Sequence, residues 1–395
     1  MTAVVKPTKL YFVVGEESGD QLGAELIKAL KPRLGGALEL YGVGGERMAA
    51  QGVNSLFPLE DIAVMGITAV LARLPSIVKR VYQTVDDVIA VDPDVLVIID
   101  SPDFTHNVAK RVRKKAPHIK VVDYVSPSVW AWRSGRAKKM SAYVDELLAL
   151  LPFEPAIHEK LGGPHTTYVG HPLIERLDDL RPRGAERGEI GAGNRRLLVL
   201  PGSRSSEVSR LMEPFGAIVA NVKEQLPDVE LLLPVVPHQK KRVLEHLESW
   251  PVKPVLVEGE QAKFEAFRSA HAALAASGTV SLELAVSGVP SVVAYKLDWF
   301  LRRIKDIHRV YPIASVDTMV LPNLILKEKV MPEFLDDDVT VENIAPLLCD
   351  LLQDTPARAK QLEGLKEIDD AMQLPEGKSQ AGAAADVVLN LLSRS

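Results

Sequence analysis

The chain has 395 residues, 47% apolar and 25% charged, which is past the length at which one hydrophobic core usually divides, so two folded domains are expected. A formal charge of -5, from 47 Lys and Arg against 52 Asp and Glu, argues against nucleic acid as a partner held by bulk positive charge. The single cysteine, Cys349, excludes an internal disulfide and a cysteine-based metal cage, and fits a reducing compartment.

Residues 1–8 lack the apolar run of a signal peptide, and no stretch reaches the ~18 consecutive apolar residues of a membrane span. A strand over residues 10–14 runs into GEESGD at 15–20 and then a helix with Leu22, Leu26 and Leu30 on one face. Ser18 with Gln21 fits a capping box, and Gly15 and Gly19 allow a tight turn. Glu16, Glu17 and Asp20 crowd carboxylates around that turn. They would repel phosphate, so hydroxyl recognition or base chemistry suits this loop, unless it is a solvated, capped turn.

A strand at 38–43 leads to the glycine turn GVGG. The stretch 62–72, IAVMGITAVLA, is uncharged and followed by Arg73, Lys79 and Arg80. It reads either as a buried helix or hairpin, or as an interfacial segment with Ile62, Val64, Met65, Ile67, Val70 and Leu71 among acyl chains and Arg73 at the head groups. A helix over 77–91 and a strand over 95–99 follow, ending in DSPDF at 100–104. Ser101 can cap the next helix, Pro102 suits its first position and Asp103 its first turn. Asp100 then stands at the carboxyl end of a parallel strand, where open α/β sheets place ligands, and is a candidate general base or a plain capping residue.

The strand at 120–125 opens into SPSVWAWR. Trp130, Trp132 and Arg133 offer flat aromatic surface beside a cation, suited to sugar rings or acyl chains, or else plug a domain interface. Strands at 147–151 and 167–169 complete a first domain over residues 1–173. Residues 174–194 turn charged and rich in Gly and Pro, and read as a linker to a second domain, 195–395.

That second half repeats the strand–helix alternation, which implies another parallel sheet covered by helices and so an α/β architecture of two Rossmann-like domains facing a cleft. In LLVLPGSRSSEV at 197–208, Ser203 and Arg204 stand between a strand and a helix N-terminus. Free amides, the helix dipole and a guanidinium together favour phosphate there, an ordinary turn being the alternative. A second loop, Ser277, Gly278 and Thr279, precedes a helix carrying Glu283, whose carboxylate can accept from both hydroxyls of a ribose or simply favour the helix N-terminus. Lys296 offers a further phosphate contact, and Asn323 a polar contact in a lined pocket. The rest is helical, and the last helix could cross back onto another domain or subunit.

GEESGD, DSPDF, DYVSPSVWAWR, LPFE, VGHPL, LPGSRSSEV, SGTVSLELA, LPNLI and PEFL occur in this order along nearly the whole chain, which thereby resembles the lipid-A-disaccharide synthase family. The resemblance implies a GT-B glycosyltransferase of lipid A biosynthesis for the Gram-negative outer membrane. Its partners would be UDP-2,3-diacylglucosamine and 2,3-diacylglucosamine 1-phosphate, joined as a β-1,6 disaccharide with release of UDP. It implies no metal and no cofactor, since the UDP-sugar is a substrate.

By that resemblance Asp100 is the first candidate for base, with Glu16 and Asp103 as rivals. Ser18, Asp20, Trp130, Trp132 and Arg133 fall on the acceptor side, and Ser203, Arg204, Ser277, Gly278, Thr279, Glu283, Lys296 and Asn323 on the donor side. Acylated substrates also favour the interfacial reading of 62–80, hence a cytoplasmic protein peripherally bound at the inner membrane surface, and a homodimer is compatible. Thr105 stands where the family often has asparagine, and Asp336 where it has glutamine. A UDP-sugar 2-epimerase of the same fold and a two-domain sugar-binding protein are the alternatives, the second of which would normally carry an export signal.

Overall fold

The computed structural model describes residues 7–35, 38–63, 67–131, 133–191, 193–297, 318–375 and 377–394, with backbone alone for 67–72. The chain forms two units, residues 1–171 with 374–395, and residues 172–373.

The first unit carries seven parallel strands, β1 (Thr8–Val14), β2 (Leu38–Val43), β3 (Asn54–Ser55), β4 (Val95–Ile99), β5 (Lys120–Tyr124), β6 (Glu146–Ala149) and β7 (His165–Tyr168). Their order is β3-β2-β1-β4-β5-β6-β7. Period-two alternation divides the apolar residues between two faces. Leu10, Phe12, Val14, Val95, Val97 and Ile99 enter one core, while Tyr11, Val13, Leu96 and Ile98 enter the other. Both faces are covered, as an all-parallel sheet requires.

The helix Glu17–Leu34 covers the first face through Leu22, Leu26, Ile27 and Leu30. Beside it lies Gln380–Ser393, which adds Ala384, Ala385, Val388 and Leu391 to the same core and is tied by an Arg33–Asp386 ion pair. The last helix therefore belongs to the first unit, which corrects the assignment of 195–395 to one domain. Its small and aliphatic face fits a groove beside Glu17–Leu34 that the residues before 172 leave uncovered. The helix Ile67–Val91 covers the other face through Val81, Val85 and Val88. It begins ten residues earlier than the sequence pattern suggested, and Pro75 lies within it.

The second unit has six parallel strands, β8 (Arg196–Leu200), β9 (Glu230–Val235), β10 (Val255–Glu258), β11 (Ala272–Ala276), β12 (Ser291–Tyr295) and β13 (Glu333–Leu335), in the order β10-β9-β8-β11-β12-β13. Residues 174–194 are part of this unit rather than a free linker, because their arginines satisfy its backbone. The Arg187 guanidinium donates to the carbonyls of Gly288 at 2.6 Å, Ser287 at 2.9 Å and Phe267 at 3.1 Å. Burial, with Arg358 nearby, lowers its pKa to about 10. Such a strap reads as linker in sequence, because its partners are backbone atoms a hundred residues away.

Candidate active site

In each sheet the strand order reverses once, between β1 and β4 in the first and between β8 and β11 in the second. Beyond the carboxyl ends of strands at such a reversal, neighbouring loops diverge and leave a crevice for a ligand. Four of the loops singled out from sequence stand at these two points, those after β1 and β4 and those after β8 and β11.

In the first unit, the Ser18 hydroxyl donates to Oδ2 of Asp100 at 3.2 Å, while Oδ1 accepts from the Ser101 N–H at 2.7 Å. The Ser101 hydroxyl in turn donates to Oε1 of Glu16 at 3.1 Å. Two loops 82 to 85 residues apart are thus cross-linked through their side chains. The approach is close, since a Cβ on Gly15 would lie 2.3 Å from that of Ser101. Asp100 and Ser101 both adopt positive φ, 55° and 42°, a conformation unfavourable for either. Thr105 stabilises it, its hydroxyl lying 2.7 Å from the carbonyl of Asp100 and 3.2 Å from that of Ser101. Val125 and Arg133, on the loop after β5, also have positive φ, 84° and 55°. Strained non-glycine residues therefore gather at this edge of the sheet.

The other acceptor-side residues divide. Asp103 is exposed and pairs with Arg136 at 3.2 Å. Asp20 is buried and accepts from the N–H groups of Gly45, Arg47 and Met48 at 2.7, 2.9 and 3.1 Å. It caps the helix Glu46–Ala50 and has no room for a substrate. Trp130 is buried edge-on against Phe153 at 5.6 Å, so it is part of the interior rather than an open platform. Arg133 is exposed, and Trp132 lies outside the described residues.

Beneath this loop is a polar group that residue-by-residue reading missed. Glu154, buried, accepts from the Leu151 N–H at 3.0 Å. Burial raises its carboxyl to about 7. Ser126 Oγ lies 2.8 Å from Nε2 of His158, whose pKa burial lowers to about 4. The signal available was the acid closing LPFE, an ionisable group inside an apolar turn.

In the second unit, Glu207 occupies the turn that the sequence reserves for an anion. Its Oε2 accepts from the N–H groups of Ser203 and Arg204, both at 3.1 Å, and its Oε1 pairs with the Arg204 guanidinium at 3.2 Å. Two of the amides expected to hold phosphate, those of Ser203 and Arg204, are already taken by the chain's own carboxylate. The Arg204 guanidinium, although paired with Glu207, has a side chain that is 78% exposed and open to a ligand. Gly202, at φ 109°, is required here, because a Cβ would fall 2.4 Å from Oε2 of Glu207.

Across the reversal, Ser277, Gly278 and Thr279 form the turn after β11, and Oε2 of Glu283 pairs with Lys263 at 2.7 Å. Lys296 follows β12, partly exposed. Asn323 is not a ligand contact: it is buried, with its amide exchanging two 2.8 Å hydrogen bonds with the backbone of Met331. Asp336 serves the backbone likewise, accepting from Leu297 at 2.9 Å. Among the described residues no group of three His, Cys, Asp or Glu is placed to hold a metal ion.

The family profile described as Lipid-A-disaccharide synthetase matches residues 10–387. The chain belongs to that family. A lipid-A-disaccharide synthase of Rhodopseudomonas palustris (strain HaA2) is 50% identical over 386 residues, 98% of this chain and 97% of its own. One of Nitrobacter winogradskyi is 47% identical over 391 residues, 98% and 96% of the two chains.

Solved structures of the same fold include UDP-GlcNAc 2-epimerase from Neisseria meningitidis bound to UDP-GlcNAc, at TM-score 0.64 and 13% identity over 98% of this chain and 100% of that one. The calicheamicin glycosyltransferase CalG4 matches at TM-score 0.56 and 14% identity, over 99% of each chain. At such identities the likeness is one of fold, and the fold is GT-B. Kinship at 40–50% identity along the whole chain favours the synthase family over the epimerases.

Proposed function

We propose that this chain transfers 2,3-diacylglucosamine from its UDP derivative to the 6-hydroxyl of 2,3-diacylglucosamine 1-phosphate. The observation that carries this reading is the family match over residues 10–387. The two strand-order reversals provide the loops on which such chemistry can be built.

In an inverting transfer the acceptor oxygen attacks the anomeric carbon, the bond to the diphosphate breaks, and the hydroxyl proton passes to a base. Asp100 is that base. Its Oδ2 stands at the sheet reversal with one hydroxyl donor on it, and so retains a lone pair for a second. Glu16 orients Ser101, and Asp103 is engaged by Arg136, so neither is as available. On the donor side the Arg204 guanidinium offsets the charge growing on UDP, and Oε1 of Glu283 accepts from the ribose.

The acyl chains connect this reading to a membrane. Ile62 is not a lipid contact, since it is buried in the first unit's core. Val64 and Met65 lie outside the described residues, and Ile67, Val70 and Leu71 are on the helix Ile67–Val91 without described side chains. That helix continues with Leu74, Val78 and Tyr82 exposed at i, i+4 and i+8, and Arg73 exposed beside them. Such a stripe suits peripheral attachment, and among the described residues no helix is long and apolar enough to cross a membrane.

The deciding experiment supplies both acylated substrates to the purified protein in mild detergent and follows disaccharide and UDP. Product that vanishes in folded Asp100→Ala and Arg204→Ala variants supports the reaction and the roles. Product surviving in Asp100→Ala moves the base elsewhere. Turnover of UDP-GlcNAc with no disaccharide would overturn the reading.

A further inference from the structure

The helix Pro102–Lys115 starts immediately after Asp100 and carries Asp103, Asn107 and Lys110 along one face. Against it lies Gly135–Met140, whose buried Ala137 and Met140 leave Arg136 and Lys139, three residues apart, on the other side. Arg136 reaches Asp103 at 3.2 Å, and the Lys110 ammonium stands 5.1 Å from the centre of the Tyr143 ring. Burial lowers the Lys110 pKa, and Arg136, Lys139 and Arg111 lower it further, with Asp103 opposing. Arg111 is turned aside, onto the Asn107 carbonyl at 2.9 Å and over the Tyr82 ring at 5.2 Å.

Elsewhere in this unit cations are matched by carboxylates, as in Arg33–Asp386, Arg80–Asp61, Arg113–Asp145 and Lys115–Asp86. Among the described residues, Asp103 is the sole carboxylate paired within the cluster of Lys110, Arg136 and Lys139. Three like charges gathered around a single carboxylate cost folding free energy, and a bound dianion would offset that cost. We propose that Lys110, Arg136 and Lys139 form the subsite for the phosphomonoester of the acceptor sugar.

This rests on the acceptor being a sugar 1-phosphate. The phosphate then lies at the end of the sugar away from its 6-hydroxyl, toward Asp103 and Lys110, the latter about two turns into the helix that follows Asp100. An anionic lipid head group presents similar chemistry. The position on the helix that follows Asp100 favours the substrate.

The test uses the full chain in neutral detergent micelles with saturating donor, and compares the 1-phosphate acceptor with the same diacylglucosamine lacking phosphate. In Arg136→Gln and Lys110→Gln, KM for the phosphorylated acceptor should rise roughly tenfold with kcat little changed, as expected for one lost charge-assisted contact. The unphosphorylated acceptor should be unaffected, and Arg136→Lys should recover part of the loss. Equal loss with both acceptors would overturn the subsite. So would variants that keep their preference for phosphate but no longer sediment with phosphatidylglycerol vesicles, which would assign the cluster to lipid. A parent enzyme that makes disaccharide equally from both acceptors overturns the subsite alone, whereas one that makes none overturns the proposed activity.

Discussion

Glu207 holds Arg204 twice, accepting from its backbone N–H at 3.1 Å and from its guanidinium at 3.2 Å. The turn after β8 is therefore ordered by a carboxylate of the chain before any ligand arrives. Glu207→Ala should lower stability by about 1–2 kcal/mol through the lost cap and the unpaired amides. Urea denaturation reads that loss. UDP binding by titration calorimetry should weaken as well, because Arg204 is no longer fixed. Tighter UDP binding would show that Glu207 competes with phosphate for the amides.

Thr105→Val removes the hydroxyl that holds the carbonyls of Asp100 and Ser101. The side chain is buried, so the loss should cost about 1–2 kcal/mol. It should also lower kcat more than it changes KM, since Asp100 would be displaced. Thr105→Ser should recover kcat. Unchanged kcat in the valine variant would show that the strained turn needs no such clamp.

Lys263 fixes one carboxylate oxygen of Glu283, and the proposed ribose contact would use the other. The parent should bind UDP more tightly than 2′-deoxy-UDP. Lys263→Met should erase most of that difference, because Glu283 is released to other rotamers. If discrimination persists in the variant, the ion pair is only structural.

Glu154 and His158 give opposite dependences on pH. The folded Glu154 carboxyl keeps its proton up to about 7, against 4.5 for an exposed one, so its contribution is complete below 4.5 and is lost as pH rises toward 7. His158 is lowered from 6.5 to about 4, so its contribution is present above 6.5 and is lost as pH falls toward 4. Glu154→Gln removes the first slope and leaves the second. The Tm of this variant relative to the parent should therefore rise between about pH 5 and about pH 8. A difference independent of pH would show that the carboxyl titrates normally.

Replacing Leu74, Val78 and Tyr82 together by serine should release the protein from phospholipid vesicles without unfolding it, since all three are exposed. Sedimentation and circular dichroism check the two halves of that expectation. Full retention on vesicles would remove the stripe from the membrane contact.

The sheets were legible because their strands are short apolar runs at regular intervals, and eleven of thirteen could be placed from that pattern alone. Asn54–Ser55 and Glu333–Leu335 were not, being two and three residues long and without apolar alternation. The site loops were legible because glycine, serine and acid follow strand ends. What the side chains do there was not. Glu207 took the amides, Asp20 capped a helix and Asn323 tied a turn, and each depends on backbone groups whose proximity no local spacing reveals. The basic cluster at Lys110 was hidden likewise, because its members are 26 to 29 residues apart from helix to helix.

Because Gln380–Ser393 completes the core around Leu26 and Phe12, the first unit encloses the second along the chain. During synthesis, every residue of the second unit is made before the first has the material to finish its own interior. The second unit can reach its final state while still tethered, whereas the first must wait with one face of its sheet partly bare. A stop codon shortly before residue 380 would thus spare the sheet that carries Arg204 and Glu283 and injure the one that carries Asp100, although Asp100 lies far upstream.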